Sequence, residues 1–183
     1  MSWDLDEAKA RMKQHCGALS ITPTKLYLVV AVATQELIVL ENDREILRYP
    51  ASTSRRPCSC KQDSLGTPTG LHAIADRIGA GAPLGRAFKG RVDTGRHFNE
   101  FPEDEQAGNL ITTRILRLRG LEPGRNAGAN CDSYARYIYI HGTNHESRIG
   151  EPFSGGCVEL RNKDVAELFD RVHEGDLVWI EEP

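Results

Sequence analysis

The longest uninterrupted apolar run in this sequence, Leu26–Ala33, is the length of a single strand. A membrane-spanning helix needs roughly 20 such residues, so the sequence offers no candidate span. Short apolar segments punctuated by 17 Gly and 9 Pro steer the chain towards a turn-rich β fold. With 183 residues it fits one domain and can bury a core without metals or disulfides. The net charge of −3 leaves no basic surface, which argues against nucleic acid or an anionic membrane as partner.

Residues 3–16 read as an amphipathic helix with Leu5, Ala8 and Met12 on one face and Gly17 as its stop. Residues 1–17 also carry Asp4, Asp6, Glu7, Lys9, Arg11 and Lys13 and lack the apolar stretch of a signal peptide. The expectation is a chain made without a signal, or one from which it has been removed. Five cysteines is an odd number, so at least one thiol is free or pairs between chains. Cys58 and Cys60 sit in a loop, and the six histidines do not cluster to complete a metal site around them.

From Lys25 the pattern becomes that of strands: Leu26–Ala33, Glu36–Glu41 and Glu45–Tyr49, broken near Thr34-Gln35 and at Asn42-Asp43. A loop-rich stretch over 51–70 leads into a strand over Leu71–Ala75. Residues 79–109, dense in Gly, Pro and polar side chains, read as a long surface excursion. Ile111–Leu118 is a further strand. In Tyr137–His141 the alternation puts Ile138 and Ile140 on one face, with Tyr137, Tyr139 and His141 on the other. Asn162 is placed to cap a helix whose Val165, Leu168, Phe169 and Val172 share a face, and Leu177–Ile180 is the last strand.

One element carries chemistry. His141-Gly142-Thr143 is followed, sixteen positions after the histidine, by Cys157 at the end of Ser154-Gly155-Gly156-Cys157. A thiol near its ordinary pKa of ~8.5 is only a few per cent thiolate at neutral pH, so a nucleophilic cysteine needs an activating neighbour. His141, at a strand end, is of the right type. The two glycines let the backbone turn and expose N–H groups that can hold an oxyanion. On spacing alone a buried structural cysteine and a packed strand histidine are the more common case. His15, His72, His97, His145 and His173 have no partner spacing that marks them out.

The segment from Tyr137 through His141-Gly-Thr to Ser-Gly-Gly-Cys157-Val-Glu-Leu-Arg-Asn162 and the following helix resembles the signature region of the YkuD-type L,D-transpeptidases. Gly66-Thr-Pro-Thr-Gly70 and the hairpin ending in Tyr49-Pro-Ala-Ser-Thr53 extend the resemblance to roughly residues 24–181. It implies a mainly β fold: a β-sandwich or barrel with one or two packed helices and long loops. Residues 21–183 would form the catalytic domain and residues 1–20 an N-terminal helical appendage.

The implied activity is acyl transfer. Cys157 attacks the carbonyl between the third and fourth residues of a peptidoglycan stem peptide, D-alanine leaves, and an amine acceptor resolves the thioester into a 3-3 cross-link. Water as acceptor would make the enzyme an L,D-carboxypeptidase; a cell-wall-binding module with weakened chemistry is the remaining alternative. The resemblance further implies His141 as general base, the Gly142 backbone as orienter of its imidazole, and the N–H groups of Gly156 and Cys157 as oxyanion donors. Ser154, Gly155, Arg161 and Tyr139 would bind substrate. No metal or other cofactor is implied, and the implied location is the cell envelope. Two positions depart from the family pattern: Gly155 stands where a histidine is usual, and Glu159 where an arginine is common. Arg161, two residues on, is expected on the face of Glu159, either replacing that arginine or pairing with the glutamate.

Overall fold

The structure, a computed structural model, describes residues 3–182. In chain order the elements are α1 (Leu5–Ala18), β1 (Leu26–Ala31), β2 (Glu36–Glu41), β3 (Arg44–Pro50), β4 (Gly70–Ile78), β5 (Arg86–Lys89), β6 (Val92–His97), α2 (Glu103–Gln106), β7 (Ile111–Gly120), β8 (Tyr139–Thr143), β9 (Val158–Leu160), α3 (Asn162–Arg171) and β10 (Leu177–Glu181). All ten strands join one mixed sheet, ordered β3-β2-β1-β10-β4-β7-β5-β6, with β8 branching from β7 and carrying β9. The fold is mainly β.

The central strands are buried on both faces, and their alternation shows why. Leu28 and Val30 of β1 and Val178 and Ile180 of β10 enter the main core, with Ile74, Leu116, Leu118, Ile138, Ile140 and the apolar face of α3. Their neighbours Tyr27, Val29, Leu177 and Trp179 point the other way, onto Ala8, Met12 and Cys16 of α1. Each such fully buried aliphatic side chain contributes about 1.5–3 kcal/mol. At the β2–β3 turn Asn42 and Asp43 both take positive φ, +49° and +64°, the pairing that matches strand twist in a two-residue hairpin.

Several expectations are corrected. Gly17 lies inside α1, which runs on to Ala18 and ends at Leu19. The 79–109 excursion is structured: it folds into the β5–β6 hairpin and α2, held to the sheet through Ala87 and Phe88 of β5 against β7. Tyr137 stands outside β8, at φ +57° and half exposed. The N-cap of α3 is Arg161, and Asn162 does not cap it. The buried Asn162 side chain accepts from the Thr112 hydroxyl at 2.6 Å and donates to the Thr143 carbonyl at 3.0 Å. It therefore ties α3 to β7 and β8 beside the strand that carries His141.

Candidate active site

His141 occupies the middle of β8, paired with Ile115 of β7 on one side and Glu159 of β9 on the other. The residue is 2% exposed. Nδ1 lies 2.7 Å from the Gly142 carbonyl, which accepts only if Nδ1 carries the proton. Nε2 is thereby the nitrogen left free on the side of β9, the strand that Cys157 directly precedes. Burial on its own would lower the basicity of this histidine. Cys157, with Glu159 and the Gly142 carbonyl, outweighs it and raises the pKa to about 9. A cation beside the sulfur is what an activated thiolate needs.

Cys157 is half buried, with Sγ 3.5 Å from the Tyr137 carbonyl. The positive φ of Tyr137 places a non-glycine residue in a sparsely populated conformation where its backbone meets the nucleophile. Ser154 builds the turn before Cys157: its hydroxyl donates to the Cys157 carbonyl at 2.6 Å and accepts from the Gly156 N–H at 3.1 Å. The strand-like segment 52–54 runs alongside, bridging Ser52 to Glu159 and Ser54 to Ser154.

The glycines differ in what they require. Gly156 has φ +123°, a conformation side chains disfavour. A Cβ on Gly142 would lie 2.7 Å from both Asn162 Oδ1 and the Thr112 carbonyl. Gly155 is exposed, its φ is not left-handed, and a Cβ there meets nothing within 4 Å. Gly155→His should therefore fold with stability within about 0.5 kcal/mol of the parent. Gly142→Ala should lose on the order of 1–3 kcal/mol from overpacking. Denaturant unfolding of the two variants checks both, and an equal loss at 142 and 155 would contradict this geometry.

Tyr139 shares the His141 face, its ring edge-on to the imidazole with centroids 6.4 Å apart. It is buried, and its hydroxyl accepts from Arg91 Nη1 at 3.2 Å, so it walls the site. Arg161 is not brought to the site. It is exposed and lines a separate cleft with Leu84, His97 and Asp164. Glu159 does not pair with it either: fully buried, it takes a hydrogen bond from Asn109 Nδ2, while its Oε2 has no partner.

Sequence reasoning missed the residues around the nucleophile's turn. A cleft of about 310 Å³ is lined by Arg55, Asn109, His145, Arg148, Ser154 and Gly155, with Leu65 at its edge. A smaller one of about 80 Å³ shares Leu65 and Gly155 with it and takes in Asp63 and Arg136. The lone clue was residue type: Arg55 and Arg148 are cations, but nothing in their spacing links them to position 157.

Comparison with known proteins bears on the family. The sequence model of the L,D-transpeptidase catalytic domain (YkuD) matches residues 25–180. The YkuD protein of Bacillus subtilis is 43% identical over 63 residues, 34% of this chain and 38% of that protein. The probable L,D-transpeptidase ErfK/SrfK of Salmonella typhimurium is 34% identical over 111 residues, 54% of this chain and 36% of that protein. Among solved structures, L,D-transpeptidase 3 from Mycobacterium tuberculosis with a faropenem-derived adduct superposes with a TM-score of 0.55 at 16% identity, covering 86% of this chain and 60% of that one. The L,D-transpeptidase from Xylanimonas cellulosilytica gives 0.54 at 17% identity, over 87% and 62%. The chain thus spans under two thirds of these relatives, and at such identities the structures speak to fold. The family match covers nearly the whole strand-bearing part, His141 and Cys157 included, and the chain belongs to the L,D-transpeptidase catalytic domain family.

Proposed function

We propose that this chain is a cysteine peptidyltransferase that takes a peptidoglycan stem peptide as its acyl donor and an amine as its acceptor. One observation carries the reading: a buried histidine on β8, its Nδ1 fixed on the Gly142 carbonyl, stands beside the strand that the Ser-Gly-Gly-Cys turn leads into, and Cys157 raises its basicity. The thiolate of Cys157 attacks the carbonyl carbon between the third and fourth stem residues. The Cys157 N–H faces the developing oxyanion; in the resting site the Gly156 N–H is turned to Ser154 Oγ, so that the hydroxyl stiffens the turn. Imidazolium His141 gives its proton to the departing D-alanine nitrogen as the C–N bond breaks, leaving a thioester. Neutral His141 then takes a proton from the acceptor amine as that nitrogen attacks, and Cys157 leaves as thiolate. Such a substrate places the enzyme's work in the cell envelope.

Intact-mass measurement after incubation with a disaccharide-tetrapeptide tests this. The expected result is a mass gain of the donor less D-alanine, mapped to Cys157, with cross-linked product when an amine acceptor is added. Release of the disaccharide-tripeptide alone would make water the acceptor, and absence of any adduct would overturn the proposal.

A further inference from the structure

We infer that the cleft lined by Arg55, His145 and Arg148 is a carboxylate-binding subsite that seats the acyl donor. The inference rests on the acyl-transfer reading above, because it supplies the donor-binding cation that Glu159 and the displaced Arg161 do not. The cleft begins at Ser154 and Gly155, and the Ser154 hydroxyl is bonded to the carbonyl of Cys157 itself. The cleft therefore shares its Ser154 and Gly155 wall with the turn that carries the nucleophile.

The charge of the cleft is unbalanced. Among the described residues no carboxylate forms an ion pair with Arg55 or Arg148. No carboxylate among the described residues lines the cleft, and Glu159, which accepts from the Asn109 of its wall, is fully buried and not offered to a ligand. Arg148 is also held in place: its guanidinium lies 4.4 Å from the centre of the Phe153 ring, and His145 packs edge-on to the same ring. A stacked guanidinium keeps its planar fork free for bidentate contact with a carboxylate and loses little freedom on binding. The smaller cleft that shares Leu65 holds Asp63 beside Arg136, so its charges are mixed and it suits an anion less well. The volume of about 310 Å³ admits a short peptide segment.

A stem peptide offers two carboxylates near the scissile bond, at its C-terminus and on the diamino acid side chain. Both have the chemistry the cleft requires, and the donors used in the test separate them. The full chain carrying Cys157→Ala is titrated with the disaccharide-tetrapeptide by calorimetry, alone and combined with Arg55→Gln, Arg148→Gln or both. Each single change should weaken binding roughly 10-fold, the yield expected for one charge-assisted contact. Arg148→Lys should recover part of the loss, as a merely structural role would not require. Raising the salt concentration should weaken binding to the parent but scarcely affect the double variant. A donor amidated at the responsible carboxylate should bind parent and double variant alike, and whichever of the two amidated donors does so identifies the group. Unchanged affinity in the double variant overturns the subsite. Cation-dependent binding without a thioester in the Cys157-containing chain overturns the transfer reading and leaves the subsite standing.

Discussion

Exchange of Cys157 for alanine should abolish the acyl adduct, while alanine at Cys16, Cys58, Cys60 or Cys131 should leave adduct formation at the parental level. The five thiols sit in different surroundings. Cys16 lies on the buried face of α1, and burial with nearby Glu122 pushes its pKa up, away from thiolate at neutral pH. Burial likewise raises Cys58 to about 11, with Glu182 and Cys60 adding to the effect. Cys60 and Cys131 rest their thiols on backbone carbonyls, those of Thr69 and of Ala127 and Gly128. Only Cys157 has a buried imidazole beside it. Limited alkylation at neutral pH should therefore label Cys157 first, a selectivity that peptide mapping reads directly. Preferential labelling of Cys60 or Cys131 would place the reactive thiol outside the proposed site.

How far the sequence foretold this arrangement depends on the range over which each feature is set. The Asn42-Asp43 hairpin and the apolar face of α3 arise from neighbours in the chain, and both were readable. So was the alternation leading into β8, where Ile138 and Ile140 enter the core while Tyr139 and His141 face the other way. The β5–β6 hairpin escaped because it buries little beyond Ala87 and Phe88, too weak a period to see among glycines and charges. Asn162 looked like a cap from its place before a helix; the cross-chain demand of Thr112 and Thr143 won over local capping. Arg161 and Glu159 were expected to share a face, but β9 ends at Leu160 and the chain turns into α3. The cleft at Ser154 and Gly155 draws Arg55, Asn109 and Arg148 from three widely separated stretches of the chain. No local pattern encodes such a meeting.

Loss of His141 should have the second large effect. His141→Ala should slow acylation by on the order of 10²–10⁴-fold, since it removes the proton carrier of both half-reactions. It should also slow alkylation of Cys157, which a histidine acting only on the leaving amine would not do. The pH profile gives a finer reading. In the parent the imidazolium survives to about pH 9, so activity should fall on an alkaline limb near that value. Glu159 is the buried anion on the neighbouring strand, paired in register with His141. Replacing it with glutamine removes one of the charges that keep the imidazole protonated, so the limb should move to lower pH. The same proton appears in stability. Folding raises the His141 pKa above its ordinary 6.5, so its contribution is complete below about 6.5 and is lost as pH rises through about 9. In Cys157→Ala the sulfur's share of that shift disappears, and unfolding free energy should decline at lower pH than in the parent. An alkaline limb and a stability curve unmoved by either substitution would show that neither Cys157 nor Glu159 is coupled to the histidine. His141 would then be a packed strand residue, and the nucleophile would have to be activated by the peptide dipoles of its own turn alone.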